Sequence, residues 1–258
     1  MSEMSPVLYL AWQDAASRRW LPVGRVRKLP DRGYEFVYVR GFDEAREKAG
    51  MTPIVGFPDP SQRYMSDTLF PHFQNRIMPR SREDYPIYIE NLGFSEPPSE
   101  PLAILARSGG HKVTDSFSLF PKPEEVASPA GERRYTVCFF IHGMRYMQPS
   151  ARERGGRAQI RERLFLLDDF QNVADPCALM LRTEDNHLLG WVPRVYCADI
   201  HDLRRRGQSI EATVEHVNAP STPSWLGVMC RIEAHWPTGF QALAGREYEV
   251  LAHDEVAR

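Results

Sequence analysis

Apolar and polar residues alternate over residues 7–12, which predicts a first strand. Residues 20–26 and 34–40 read as two more, with a turn at 14–19 and a hairpin turn at Asp31-Arg32-Gly33. The rhythm then changes. Residues 42–49 suit a short helix with acidic residues early in it, and the proline-punctuated stretch 53–60 suits extended chain. Leu69, Phe70, Phe73 and Ile77 recur at helical spacing within 67–78, and Tyr85, Ile89 and Leu92 do so within 83–92, where Gly93 marks the stop. Residues 95–101 form a proline-rich loop, and 102–107 and 116–120 read as strands around Gly109-Gly110.

The stretch 121–131 is polar, rich in Pro and Ala and without period, so it divides the chain. The expected domains are 1–121 and 132–258, joined by a linker at 122–131. Beyond it, 135–141, 159–167, 178–182, 190–193, 209–217 and 226–234 read as strands, 196–205 as a short helix, and 148–156 and 219–224 as loops. The fold class expected is α+β. The N-terminal half is a small sheet with two or three helices, and the C-terminal half is a small, closed or nearly closed β-barrel with one helix.

Composition sharpens this picture in three ways. With 42% hydrophobic and 26% charged residues, the 258-residue chain is an ordinary globular one, and its 21 prolines favour short strands and loops over long helices. A net charge of -2 provides no global attraction to nucleic acid, so any such binding needs a local patch. Arg145, Arg152, Arg154, Arg157, Arg161 and Arg163 supply a candidate patch, opposed within that stretch by Glu153 and Glu162. Finally, no apolar run approaches the roughly 20 residues of a membrane helix, and the N-terminus lacks a signal-peptide pattern. Cys138, Cys177, Cys197 and Cys230 show no CxxC spacing and read as reduced thiols of a cytoplasmic protein, with no metal or cofactor expected.

The second half carries an ordered set of motifs. These are Phe139-Phe140-Ile141-His142-Gly143-Met144-Arg145-Tyr146, the turn Asn172-Val173-Ala174-Asp175-Pro176-Cys177-Ala178-Leu179, and Leu189-Gly190-Trp191-Val192-Pro193-Arg194. Over residues 135–250 the set resembles HIRAN domains, which are similar to oligonucleotide-binding and SH3-like barrels. The resemblance implies binding of single-stranded DNA or DNA 3′ ends. It places Asp175 to accept a hydrogen bond from a terminal hydroxyl, Trp191 or Phe140 to stack on a base, and Arg145, Tyr146 and Arg194 to hold the strand. Ala174 and Cys177 depart from the family, which has an aromatic residue and an asparagine there.

The first half resembles the N-terminal subdomain of HipA-type proteins, through Leu21-Pro22-Val23-Gly24-Arg25, Tyr34-Glu35-Phe36-Val37-Tyr38, Arg63-Tyr64 and Ile104-Leu105-Ala106-Arg107-Ser108-Gly109-Gly110. That resemblance implies a protein partner, such as a HipA-type kinase, a helix-turn-helix protein, a helicase or a nuclease, in a bacterial toxin–antitoxin, defence or repair system. No kinase body follows. Asp168, Asp169, Asp175, Glu184 and Asp185 crowd together without a nuclease spacing, and neither a nucleophile elbow nor a Cys–His pair stands out. The chain therefore reads as a non-enzymatic DNA-binding adaptor. The alternative is an antitoxin-like regulator that does not bind DNA.

Overall fold

The computed structural model describes residues 5–30, 33–127 and 131–252. Asp31 and Arg32 of the expected hairpin turn, 128–130 of the expected linker, and both chain ends lie outside the described residues. Among the described residues, two antiparallel sheets and six α-helices make the fold α+β, and the chain divides into two compact units. Among the described residues, no helix is long and apolar enough to cross a membrane.

The first unit takes 5–88, 96–122 and 244–252 of the described residues. Its strands are β1 (Leu8–Gln13), β2 (Trp20–Leu29), β3 (Gly33–Tyr38), β4 (Tyr64–Ser66) and β5 (Phe117–Pro121), in the order β4-β3-β2-β1-β5. The helices are α1 (Gly41–Ala49), α2 (Pro71–Gln74), α3 (Tyr85–Asn91), which runs across the division, and α4 (Pro101–Ser108). Phe36, Tyr38, Phe57 and Phe73 form an aromatic core, with Phe36 and Phe57 ring centroids 4.2 Å apart. The Tyr38 hydroxyl stays satisfied there, donating to the Phe57 carbonyl and accepting from the Ile54 amide, both at 2.7 Å.

Two expectations change in this unit. Residues 102–107 read as a strand but form α4. A short apolar run has no decisive period, and here the flanks decide. Pro101 opens the helix, the Glu100 carboxylate caps the Leu102 amide at 3.2 Å, and Gly109 closes it in the left-handed region at φ +67°. The helix expected over 67–78 shrinks to α2, because Phe70, ahead of Pro71, is held extended at ψ 141°.

The second unit takes 89–95 and 123–243. Its strands are β6 (Glu124–Ala127), β7 (Arg133–Phe140), β8 (Arg163–Asp168), β9 (Leu179–Arg182), β10 (Leu188–Trp191), β11 (Ile210–Val217) and β12 (Val228–His235), in the order β10-β9-β8-β11-β12-β7-β6. β6 lies within the stretch whose composition showed no period, and it pairs with β7. The sheet curls until its β10 end meets the chain just beyond β7. There His142 and Trp191 exchange two backbone hydrogen bonds, at 2.9 and 2.8 Å, and join the ends into a six-stranded ring. Residues 148–156 form helix α5 (Pro149–Gly156) rather than a loop. Only Ala151 and Gly155, four apart, are buried on it, so it has no apolar stripe to announce it. Helix α6 (Arg194–Arg205) is strongly amphipathic, burying Tyr196, Cys197, Ile200 and Leu203, and Tyr196 stacks on Phe139 of β7 at 5.6 Å.

Candidate nucleic-acid interface

The corner where the ring joins is built on two glycines. A Cβ on Gly190 would lie 2.2 Å from the His142 carbonyl oxygen, and φ is +144°, so only glycine permits the bridge. Gly143, at φ +74°, turns the chain after β7 and lets the Trp191 ring lie directly against its backbone. The single-turn helix Met144–Tyr146 follows, burying Met144 and presenting Arg145 and Tyr146. The Arg145 guanidinium lies over the Tyr146 ring, 4.6 Å from its centroid, and donates to its hydroxyl.

On the other side of Trp191, the β8–β9 turn is a chain of side-chain hydrogen bonds. The Trp191 indole N–H donates to Asp169 Oδ2 at 2.9 Å, and Asn172 Nδ2 donates to the same oxygen at 3.1 Å. Asn172 Oδ1 accepts the amides of Ala174 and Asp175 at 3.1 and 3.0 Å. Asp175 Oδ1 accepts the Cys177 amide at 3.1 Å, and its Oδ2 lies 3.5 Å from Arg194 Nε. These bonds are Asx-type caps, which fix a turn without regular structure. Asp175 keeps 15% of its side chain exposed and Arg194 57%, and each carboxylate oxygen has capacity for a further donor.

Of the residues singled out in the sequence, this corner brings together Arg145, Tyr146, Asp175, Trp191 and Arg194. Tyr146 is 68% exposed. Phe140 is not among them: at 7% exposure it lies buried on β7, with little ring surface to offer a base. The arginine cluster does not form one free patch. Arg154 of α5 binds both Glu162 and Asp185, the latter at 2.9 Å, and Arg157 pairs with Glu153 at 2.6 Å. These bonds hold Asp185 well below the ordinary carboxylate range, at about 2, through Thr183 first and Arg154 second. Arg152 is exposed on α5, Arg161 sits at φ +69° with its amide bonded to Val214, and Arg163 points along β8 over the Phe165 ring.

Sequence reading named Asp169 in an acidic cluster and Asn172 in the turn motif but gave neither a role, though they orient Trp191 and the turn; it passed over Phe170, 90% exposed between them. The three-residue spacing of Asp169, Asn172 and Asp175 is the signal that points to linked Asx turns. Burial pushes the Cys197 thiol up to about 12, which disfavours a thiolate there. Among the described residues, no three of His, Cys, Asp and Glu are grouped as a metal site requires.

The second unit is thus a small curled barrel whose sheet ends meet at a glycine-lined corner, beside a turn fixed by its own carboxylates. Residues 135–237 match the family model of the HIRAN domain, and this segment is a HIRAN domain. Two solved structures are similar to parts of the chain at low identity. A Lactobacillus plantarum protein is 17% identical over 38% of this chain and 89% of its own, with a TM-score of 0.32. The HIRAN domain of human HLTF is 14% identical over 38% of this chain and 72% of its own, with a TM-score of 0.29. No curated protein matches.

Proposed function

We propose that the HIRAN segment binds single-stranded DNA at a 3′ end, with the corner of Asp175, Trp191 and Arg194 as its site. One observation carries this reading. The Trp191–Asp169–Asn172–Asp175 network holds an exposed-edged carboxylate and an indole in fixed positions beside an unburied guanidinium, inside a HIRAN segment. Asp175 accepts a hydrogen bond from the terminal hydroxyl, Trp191 offers its uncovered ring surface to a base, and Arg194 and Arg145 hold phosphates. On this reading the protein is a non-enzymatic, cytoplasmic adaptor, and its first unit holds a protein partner, as the HipA resemblance implies.

Fluorescence anisotropy with oligonucleotides ending in 3′-hydroxyl or 3′-phosphate, across a salt series, tests the end reading. The hydroxyl form is expected to bind more tightly. Asp175→Ala is expected to weaken it about tenfold and erase the difference, as loss of a hydrogen bond to a charged group does. Arg194→Ala is expected to weaken all single strands alike and to lower the salt slope by about 0.7. Equal binding of both ends by the unaltered protein sinks the end-specific reading.

A further inference from the structure

The outer face of β8, β9 and β10 leads away from the corner. Residues paired directly across an antiparallel ladder share a face, as do alternate residues along a strand. Trp191 pairs with Met180, Met180 with Leu167, and Phe165 with Arg182. Arg163 precedes Phe165 by two positions. Trp191, Met180, Leu167, Phe165, Arg182 and Arg163 therefore line one continuous surface. Their neighbours Leu164, Leu179, Leu181 and Leu189 are buried on the opposite face.

This surface is unusual for the outside of a small barrel. Leu167 is exposed, and Phe165 and Met180 are only partly covered. The guanidiniums of Arg163 and Arg182 each lie over the Phe165 ring at 5.0 Å from its centroid. Among the described residues, no carboxylate comes within ion-pairing distance of either one, whereas Arg204 beside them is matched to Asp168 at 3.2 Å. A cleft of about 310 Å³ runs here, lined by Arg163, Phe165, Leu167, Arg182 and Arg204 among others. Apolar side chains flanked by uncompensated arginines, continuous with Trp191, suit bases on a flat platform and phosphates along its edge.

We infer that this face is the track for single-stranded DNA running away from its 3′ terminus, with Phe165, Leu167 and Met180 under the bases and Arg163 and Arg182 on phosphates. The inference rests on the end-binding reading and extends it to the nucleotides behind the terminal one. With strands about 4.8 Å apart and residues about 3.3 Å apart along β8, the path from Trp191 to Arg163 crosses two strand spacings and four residues. It is long enough for the smallest tracts, of about four nucleotides, that small barrels of this kind hold.

The test measures anisotropy of 3′-hydroxyl oligothymidylates from three to twelve nucleotides, with the full chain and with Arg163→Glu/Arg182→Glu. The unaltered protein is expected to gain affinity with length and then level off. The double variant is expected to lose most of that gain, to bind the longer oligonucleotides about tenfold more weakly, and to show a salt slope reduced by about 1.4, as loss of two phosphate contacts dictates. It should still prefer 3′-hydroxyl over 3′-phosphate. Arg163→Gln/Arg182→Gln, checked by circular dichroism and thermal melting, repeats the test without charge reversal. Unchanged length dependence and salt slope in a folded variant overturn the track while leaving the end site standing. No binding of any oligonucleotide by the unaltered protein overturns both readings.

Discussion

Two glycines decide whether the ring joins at all. Gly190 has neither the dihedral nor the space for a side chain, since a Cβ would meet the His142 carbonyl oxygen at 2.2 Å. Gly190→Ala is therefore expected to destabilise the protein by about 3 kcal/mol, measured by urea denaturation, and to loosen Trp191 from its place against Gly143. A loss within 0.5 kcal/mol would mean that the bridge is dispensable. The same residue scale shows what was legible. Asp175, Trp191 and Arg194 stood out in the sequence because they fall in motifs that resemble the HIRAN family. Asp169 and Asn172 received no role there, because their work is done through hydrogen bonds that exist only once β10 has folded back beside the β8–β9 turn. Phe140 failed as a platform for a related reason: both Phe139 and Phe140 are buried, and alternation alone predicts that one of two adjacent strand residues faces out.

Elements with strong periods were legible, and elements defined by their ends were not. β7, β11, β12 and α6 lie close to where hydrophobic spacing put them, because each buries one face against the barrel interior. α4 and α5 escaped. The first is an apolar run too short for its period to decide, and the second carries three charges and almost no apolar surface. The second case changes how the arginines are read. In a mobile loop, Arg154 would be available to a phosphate backbone. On α5, three-quarters buried and bonded to Glu162 and Asp185, it fastens the helix to the β9–β10 turn. Arg154→Ala is accordingly expected to lower stability by about 1 kcal/mol and to leave the salt slope of DNA binding unchanged. A fall in the slope of about 0.7 would instead restore Arg154 to the interface.

At the scale of the whole chain, the first unit carries a built-in sensitivity to acid. The chain returns to this unit after the barrel, pairing Val250 with Val39 and giving the Leu251 amide to the Tyr38 carbonyl at 3.0 Å. Elsewhere in the unit, His72 and His111 both lie near Arg76, whose guanidinium is buried and bonded to Asp115 at 2.6 Å. Burial first, and the Arg76 charge second, push the His72 imidazole from 6.5 down to about 4, with Asp115 opposing and Lys112 adding slightly. His111 shifts the same way for the same two leading reasons. The His72 ring thus stays neutral in the folded protein down to about pH 4, while in the unfolded chain it takes up a proton near the ordinary value; His111 shifts in the same direction. Between about pH 6.5 and 4 the unfolded state binds more protons, so stability is full above 6.5 and is lost as pH falls toward 4. Arg76 and Asp115 contribute differently. Asp115 is held below the ordinary carboxylate value, and its share is lost only as pH falls below about 4. The window above pH 5 therefore reports the histidines. Unfolding followed at pH 7, 6, 5 and 4 should show a decline that reaches about 2 kcal/mol near pH 4 once solvent screening of the partly exposed His72 ring is allowed for. In His72→Gln the slope should flatten. A slope unchanged by that substitution assigns the acid sensitivity elsewhere.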